Sequence, residues 1–462
     1  MITLSSDCRR LSGRITGTLA FPAAVAISRI SRYVGDRFVA YPDNRGQITA
    51  CLPDGGYSAH VEGVITSLAV PVTISADTTI EFRACATSKI EQVPNNIRID
   101  RTDLESFSHS LLDRQVLGLG EANHGTGDFF TYRGRLSLAL ARSGRLRSIL
   151  LEADAIGMMT IDDYVMGANV DIAKAVNALR FWITDVHEFL AFLAEVRSYN
   201  AAVPQNGKVH VLGIDAQRVE PPVQFLLERR TALAISEPEA ALLARIAPDH
   251  AKAFSNLVNG ERETLSSMLD RLVAPSGPAD LTGDRTRASI AARSVRYQLG
   301  YLSKLGTDGL RDQAMAELAA YIVTLSNSQQ TVLWAHNDHV AREPTGAAKS
   351  LGQYLSERFG EAYYPIAFLS YSGNARAWDA GGKIGVIPHE LGPAPPYNLE
   401  AVVMNAARSS DAAWLSLDTA TGALKAMAHH ASIRARVRGC ISHGRYAEAA
   451  SVSRCHRCSR RD

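Results

Sequence analysis

Histidines and carboxylates capable of acid–base chemistry occur in three short stretches of the sequence. Glu121 lies three residues before His124, Glu152 stands in the next stretch, and His336 and His339 have the spacing of one helical turn. A neutral imidazole titrates near pH ~6.5 and can take a proton from water at physiological pH. A neighbouring carboxylate can orient the imidazole or the water. The same residue types are also adequate ligands for zinc or manganese, so both kinds of chemistry are open at this point.

These side chains follow short apolar runs that have the length and composition of buried strands. The runs cover residues 116–120, 148–152, 209–215 and 331–335, with a fifth candidate at 364–368. They are apolar on both faces, as the strands of parallel sheets are, and helical stretches separate them. The order predicts an α/β domain with a central, mostly parallel sheet and helical additions. Because ligands bind beyond the carboxyl ends of strands in such sheets, we expect the titratable residues to share one site there.

Several motifs, taken in order, resemble the erythromycin esterase family. The residues that carry the likeness are the run GEANHGTGDFF at 120–130, Arg133, Arg135, Glu152, Asp163, Trp182, Asn200, Asp215, Arg311, Asp312 and the run WAHNDHV at 334–340. Two positions depart from the family pattern, because Asp128 replaces a common glutamate and Leu318 a common asparagine. The resemblance implies an erythromycin-esterase-like fold. It also implies hydrolysis of an ester, in the named members a macrolide lactone, without a required metal.

The resemblance further implies roles for individual residues. It assigns the catalytic residues as His124, the general base, Glu121 and Glu152, which orient the imidazole or the water, and Arg133, which stabilises the developing oxyanion or holds a substrate oxygen. It assigns substrate binding to His336, His339, Asp215 and Arg135. Alternatives stay open for two of these positions. Arg133 could instead form a salt bridge to Asp128 or Glu121, and Asp215, like Asp163, could satisfy backbone amides. Arg135 is expected on a different helical face from Arg133.

Two other functions stay open beside the metal-independent hydrolase. A metal-dependent hydrolase could use the same histidines and glutamates, although the His-x-x-His spacing lacks the glutamate placement of the common helical zinc motif. A non-catalytic protein could hold a ligand in the same pocket. The sequence has no Gly-x-Ser-x-Gly elbow, which argues against a serine esterase of the α/β-hydrolase kind. We therefore expect no cofactor, no bound metal and a small-molecule ester or macrolide-like substrate.

The chain outside this domain has a different texture. Residues 1–88 alternate seven short strands with turn sequences, which predicts a small β-sandwich. It resembles the carboxypeptidase regulatory-like sandwich in Gly35, Asp36, Phe38, Asn44, Gly46, Ile48, Leu52, Pro53, Gly55 and Tyr57. Contact with a protein or a glycan is the role we expect for it. The predicted boundaries are 89–100 for a linker, 101–425 for the hydrolase domain and 426–462 for a basic, disordered tail.

Composition limits the partners and the compartment. The 49 lysines and arginines nearly balance the 47 aspartates and glutamates, which argues against a protein that mainly binds nucleic acid. No apolar run approaches the ~20 residues of a transmembrane helix, so we expect no membrane span. Three arginines, Arg9, Arg10 and Arg14, precede a short apolar stretch that Pro22 interrupts. We expect the cytoplasm, with secretion or the periplasm as the alternative.

Overall fold

The computed structural model of the chain divides into two compact units. One contains residues 103–369 and 374–389, and the other contains residues 1–102, 370–373 and 390–462. The structure describes residues 9–16, 24–29, 37–40, 47–52, 54–62, 70–83, 99–101, 104–216, 218–247, 256–274, 281–303, 310–326, 329–342, 348–378, 386–391, 400, 403–404 and 413–415.

The described N-terminal residues form seven strands, the number that the sequence predicts for residues 1–88. They are β1 (Arg9–Thr16), β2 (Ala24–Arg29), β3 (Arg37–Ala40), β4 (Gln47–Leu52), β5 (Gly55–Glu62), β6 (Val70–Ile74) and β7 (Thr78–Arg83). One sheet has the order β4-β1-β7 and the other the order β3-β2-β5-β6. Ile48, Leu52 and Tyr57 are buried. The carboxypeptidase regulatory-like relationship stays a prediction.

The predicted linker and tail fall largely outside the described residues. Residues 89–98 of the linker and all of residues 426–462 are not described. Strand β8 (Ile99–Arg101) begins within the last two residues of the predicted linker and pairs antiparallel with a later strand at Ala413–Leu415. The domain boundaries given by the sequence therefore stay predictions.

The larger unit alternates strands and helices around one sheet. The strands of this sheet are β9 (Val116–Leu119), β10 (Leu146–Asp154), β11 (His210–Asp215), β12 (Gln330–Trp334) and β13 (Tyr363–Ile366). A separate two-stranded sheet, most of whose residues belong to the same unit, contains β14 (Gly373–Trp378) and β15 (Val386–Leu391), and β16 is Ala413–Leu415 of the smaller unit. The helices of the larger unit are α1 (Leu104–His109), α2 (Gly127–Arg142), α3 (Gly157–Val165), α4 (Ile172–Ala178), α5 (His187–Ala202), α6 (Glu220–Glu228), α7 (Glu237–Ile246), α8 (Asn259–Val273), α9 (Asp284–Ser303), α10 (Leu310–Leu325), α11 (Asn337–Val340) and α12 (Leu351–Phe359).

The five predicted apolar runs form the central sheet. Its strand order is β11-β10-β12-β9-β13, and all four neighbouring pairs are parallel. Successive residues of a strand point to opposite faces, and each face of this sheet has its own core. Leu150 and Leu333 belong to one core, whereas Ile149 and Trp334 belong to the other. Burial on both faces explains why these strands are continuously apolar, and it confirms the predicted α/β fold class.

Helices cover the two faces of the sheet with different parts of the chain. Helices α2 and α5 pack their apolar residues into one core, and the helices between β11 and β12 fill the other. Within this second group, Pro238 lies in the first turn of α7, where a missing N–H costs nothing. The Glu239 carboxylate accepts a hydrogen bond from the Ser236 backbone N–H at 2.8 Å, so the helix start is capped. Among the described residues, no helix has the length and apolar composition needed to cross a bilayer.

Candidate active site

The strand order brings the titratable residues to one edge of the sheet. β12 lies between β10 and β9, so the residues that follow these three strands are neighbours. Glu152 lies near the carboxyl end of β10, His336 follows β12, and the segment that carries Glu121 and His124 follows β9. The Asn337 backbone N–H donates to the Glu121 carbonyl at 2.9 Å, which ties the chain after β12 to the chain after β9. The position agrees with the ligand-binding edge of parallel sheets.

His124 is held through one ring nitrogen by a buried carboxylate. Its Nδ1 lies 2.7 Å from Glu121 Oε1, and the His124 side chain is 22% exposed. An ionised carboxylate only accepts hydrogen bonds, so the proton of the neutral ring lies on Nδ1. Nε2 then carries the free lone pair. Within the described part of the chain, no hydrogen bond engages Nε2, so this nitrogen is the one available to accept a proton.

Arg133 lies behind Glu121 and not in an open cleft. Its side chain is only 2% exposed, and NH2 donates to Glu121 Oε2 at 2.5 Å. The guanidinium also faces the rings of Phe130 and Trp334. The alternative that the sequence left open, a salt bridge to Glu121, is the contact present here. The described neighbours enclose its guanidinium, and the expectation that Arg133 stabilises the oxyanion or holds a substrate oxygen stays a prediction.

The charges around Glu121 favour its ionised form. Burial alone would raise the pKa of this carboxyl, but Arg133 and His124 outweigh it, so the pKa is lowered from its ordinary value. Removing Arg133 would leave the buried charge of Glu121 without a cation to compensate it. Arg133, Glu121 and His124 are thus joined in turn by charge-assisted hydrogen bonds, the last of which is made by Nδ1 of His124. Nε2, on the other side of the ring, stays available.

Close backbone contacts fix the loop that carries His124. Gly125 has a φ of +85°, and a Cβ there would come within 2.3 Å of the Arg376 carbonyl oxygen. The Arg376 N–H donates to the Gly125 carbonyl at 3.0 Å. Trp182 lies edge-on to the His124 ring at a centroid distance of 6.3 Å. Only glycine combines this backbone conformation with this approach, so the motif glycine positions the histidine before it.

His336 lies next to His124 as a neutral ring. Its centroid is 5.3 Å from that of His124. The Asp338 backbone N–H donates to His336 Nδ1 at 3.2 Å, and Nε2 lies 3.2 Å from the Ala122 carbonyl oxygen, to which it donates. Burial, together with the charge of His124, lowers the pKa of His336 from its ordinary value. Both ring nitrogens are engaged with the backbone, so His336 lines the site next to the base without competing for its proton.

A second charge cluster lies beside His336 and contains two predicted substrate-binding residues. Glu152 Oε2 accepts the His336 backbone N–H at 2.9 Å, and its Oε1 accepts from Arg311 at 2.7 Å. Asp215 Oδ2 accepts from the same Arg311 nitrogen at 2.7 Å. His339 lies 3.4 Å from Glu152 through Nε2 and 2.6 Å from Asp312 through Nδ1. The cluster therefore joins β10, β11, α10 and α11.

The cluster favours a charged His339 and an ionised Glu152. Burial disfavours the imidazolium, but Glu152 and Asp312 outweigh it and raise the pKa of His339 to about 10. Burial would likewise raise the pKa of Glu152, but His339 and Arg311 hold it well below the ordinary value. Among the described residues, no hydrogen bond joins Glu152 to the His124 ring, although the charge of His124 also lowers the pKa of Glu152. Glu121 makes the hydrogen bond to the His124 ring and Glu152 accepts one from the His336 backbone, while the expectation that Glu152 orients the imidazole or the water stays a prediction.

Two further arginines of the family motifs, Arg135 and Arg311, lie in different surroundings. Arg135 is exposed on α2 while Arg133 is buried, as expected for residues about 200° apart around a helix. Among the described residues, no contact joins Arg135 to the site, and its assignment to substrate binding stays a prediction. Arg311 is the residue that sequence reasoning missed, although it belongs to the quoted motif order. Asp163 pairs with Arg287 at 2.5 Å, outside this cluster.

The arrangement can do acid–base chemistry through one nitrogen, His124 Nε2. Among the described residues, no group of three or more histidines, cysteines, aspartates and glutamates is arranged to hold a metal ion. The charged groups next to His124 and His336 form ion pairs with each other. Glu121 pairs with Arg133, and Glu152 pairs with Arg311.

Comparison with known proteins gives a family and a fold. The family model described as Erythromycin esterase matches residues 146–456. This stretch includes Glu152, Asp215, His336 and His339, whereas the segment with Glu121, His124 and Arg133 precedes it.

Three solved structures have a similar fold. A Bacillus cereus protein is 21% identical with a TM-score of 0.57, covering 70% of this chain and 81% of its own. A succinoglycan biosynthesis protein is 20% identical with a TM-score of 0.51, covering 66% and 78%. A mutant of the erythromycin esterase EreC in its open conformation is 20% identical with a TM-score of 0.50, covering 67% and 87%. At these identities the likeness shows the fold alone.

Proposed function

Because the chain belongs to the erythromycin esterase family, we propose that it hydrolyses a carboxylic ester or macrolactone of a small molecule with water activated by His124. Family membership supports a hydrolase, and the finer assignment rests on one observation. Glu121 holds the Nδ1 side of the His124 ring, which leaves Nε2 as a base at the carboxyl edge of the sheet. Among the described residues, none donates a hydrogen bond to this nitrogen, and the neighbouring His336 ring makes its hydrogen bonds to the backbone instead.

The proposed reaction begins with proton transfer from water to His124 Nε2. The water oxygen forms a bond to the acyl carbon, and the carbonyl π electrons move to its oxygen. When this tetrahedral intermediate collapses, the bond between the acyl carbon and the alkoxy oxygen breaks. The imidazolium returns its proton to the leaving oxygen, so the products are a carboxylic acid and an alcohol, which in a lactone stay on one molecule. Glu121 stabilises the transient imidazolium, as carboxylates do in hydrolytic triads.

Arg133 and His336 have supporting roles in this proposal. Arg133 keeps Glu121 ionised, and an ionised Glu121 is needed to hold the Nδ1 proton. His336 remains neutral beside His124, so a second positive charge does not oppose protonation of the base. We propose that both rings face the bound substrate.

The experiment is hydrolysis of a panel of macrolides and simple esters, followed by mass spectrometry. The panel is run with wild type, His124→Ala and the control His210→Ala, each with and without EDTA. With wild type and with the control, in both buffers, we expect each macrolactone to give a product heavier by one water and each simple ester to give its carboxylic acid and alcohol, and we expect neither with His124→Ala.

Each other outcome selects a different function. Activity that EDTA removes identifies a metal-dependent hydrolase. Ligand-induced thermal stabilisation without product, across the whole panel, supports a binding protein. Hydrolysis that is unchanged in His124→Ala overturns the proposed mechanism.

A further inference from the structure

We propose that Arg311 is a positioning residue of the hydrolytic site, and this inference rests on the function proposed above. Arg311 belongs to α10, whereas His124 follows β9, so the two lie far apart in the chain. Through Glu152, Arg311 fixes His336 and with it the surroundings of the base.

The guanidinium of Arg311 joins two carboxylates that come from different strands. Nε donates to Asp215 Oδ1 at 3.2 Å, and NH2 donates to Asp215 Oδ2 and to Glu152 Oε1, both at 2.7 Å. Three of the five N–H groups of the guanidinium are thereby directed at carboxylates. This geometry requires the planar fork of arginine, because a lysine presents a single ammonium group.

The contact continues from Glu152 to the ring next to the base. The second Glu152 oxygen accepts the His336 backbone N–H at 2.9 Å. The His336 ring then donates to the Ala122 carbonyl at 3.2 Å, two residues before His124. Every step is a hydrogen bond, so a displaced Glu152 would release the His336 backbone and let its ring turn. A ring 5.3 Å from His124 cannot turn without changing the space in which water and ester meet the base.

Charge gives the second reason why the site needs Arg311. Glu152 and Asp215 are both buried carboxylates, and both contact the same guanidinium nitrogen. Without this cation, the two carboxylates would repel each other across the carboxyl ends of β10 and β11. His339 would remain the only cation in contact with Glu152 among the described residues. Arg311 thus permits two buried carboxylates to stay ionised side by side.

The ionisation of Glu152 depends on groups from several elements. Arg311 faces it from α10, and His336 and His339 face it from the end of β12 and from α11. Asp215 approaches from β11, and the charge of His124 acts from the segment after β9. Loss of the guanidinium therefore raises the pKa of Glu152 toward its ordinary value. An uncharged Glu152 no longer holds the His336 N–H as firmly.

The test compares Arg311→Met, Arg311→Lys and the control Arg287→Met, in which another partly buried arginine loses its ion pair with Asp163. The pH dependence of kcat/KM is measured with an ester that the wild type hydrolyses. We expect Arg311→Met to lower kcat/KM about 100-fold, the size of effect that a small misplacement causes, and to move the acidic limb to higher pH. Arg311→Lys should keep the wild-type acidic limb and recover part of kcat. Arg287→Met should leave the limb in place.

A second measurement does not depend on activity. The ring nitrogens of ¹⁵N-labelled histidines report protonation and tautomer by NMR. We expect one Nε2–H tautomer for His336 in wild type and in Arg287→Met, and a mixture in Arg311→Met. The positioning role is overturned if Arg311→Met keeps both the single tautomer and the wild-type pH limb. If no ester is hydrolysed by the wild type, the proposed function fails, and the NMR result still decides whether Arg311 fixes His336.

Discussion

The larger unit contains two pairs of a histidine and a buried carboxylate, and they lie at opposite edges of the same sheet. His124 contacts Glu121 at 2.7 Å, and His210 contacts Asp162 at 3.0 Å, in each case through Nδ1. The carboxylate side chains are 4% and 0% exposed, respectively. By contact geometry alone, either pair could hold a general base.

The surroundings of the two pairs differ in three ways. His124 follows a strand, whereas His210 begins β11, so only His124 lies at the carboxyl edge. Arg133 pairs with the second oxygen of Glu121, but Asp162 Oδ1 accepts the Val211 backbone N–H at 2.9 Å. The His336 ring lies next to the His124 ring, and the His336 backbone is bound to Glu152, which in turn pairs with Arg311.

The comparison shows that a carboxylate–imidazole contact is not by itself a functional signal. Asp162 satisfies the backbone at the start of β11 and holds its histidine as part of that structural task. Glu121 is paired with a buried cation that keeps it ionised. The edge of the sheet and the charges behind the carboxylate distinguish the pair proposed for catalysis.

The largest expected effect separates the two histidines directly. His124→Ala should lower kcat/KM for an ester by about 10²- to 10⁴-fold, because general-base catalysis contributes that much. His210→Ala should stay within a few-fold of wild type. Steady-state kinetics on both purified variants checks the prediction, and comparable losses in the two would remove the distinction between the edges.

The next effect concerns the carboxylates. Glu121→Gln should lower kcat/KM roughly 100-fold, because the amide can donate to Nδ1 and shift the ring proton to Nε2. Asp162→Asn should lower the urea midpoint of unfolding while kcat/KM stays near wild type. Kinetics and urea unfolding on both variants separate catalysis from stability. A Glu121→Gln enzyme with full activity would show that the tautomer is irrelevant.

The third effect is a pH dependence of stability that comes from His339, whose pKa is raised by Glu152 and Asp312 in the second charge cluster. Its folded pKa of about 10 lies above the unfolded value of about 6.5. The stabilisation is therefore fully present below pH ~6.5 and is lost as pH rises through about 10. We expect the free energy of unfolding to fall more between pH 7 and 10 in wild type than in His339→Gln. Equal decreases in urea titrations of both proteins would contradict it.

The smallest effect is expected at Arg135. This side chain is exposed on α2 while Arg133 of the same helix is buried. Arg135→Ala should change kcat/KM by less than about twofold, as surface substitutions usually do. A larger loss, measured under the same assay conditions, would instead support the assignment of Arg135 to substrate binding that the family resemblance implies.

The sheet and its polar edge were predictable from the sequence for a physical reason. Strands buried on both faces are continuously apolar, and the residues at their carboxyl ends must share one edge. The contact of Glu121 with His124 is also local, because only three residues separate them. The position of Asp215 at the carboxyl edge of the sheet was predictable as well, because this residue ends the apolar run at 209–215.

The charge partners could not be derived in the same way. Arg311 reaches Asp215 across 96 positions of the chain, so only the packing of α10 reveals the contact. Arg133 and Arg135 both follow the motif, and the helix period states only that they face apart. Which of them turns inward depends on the rings of Phe130 and Trp334, which pack around one guanidinium.

The most direct test of His124 as the base that activates water is ester hydrolysis in H₂¹⁸O, followed by mass spectrometry of both products. Wild type and His210→Ala should give a carboxylic acid with one ¹⁸O and an unlabelled alcohol, while His124→Ala gives neither above the uncatalysed background. Labelled acid formed by His124→Ala at the wild-type rate would contradict the account.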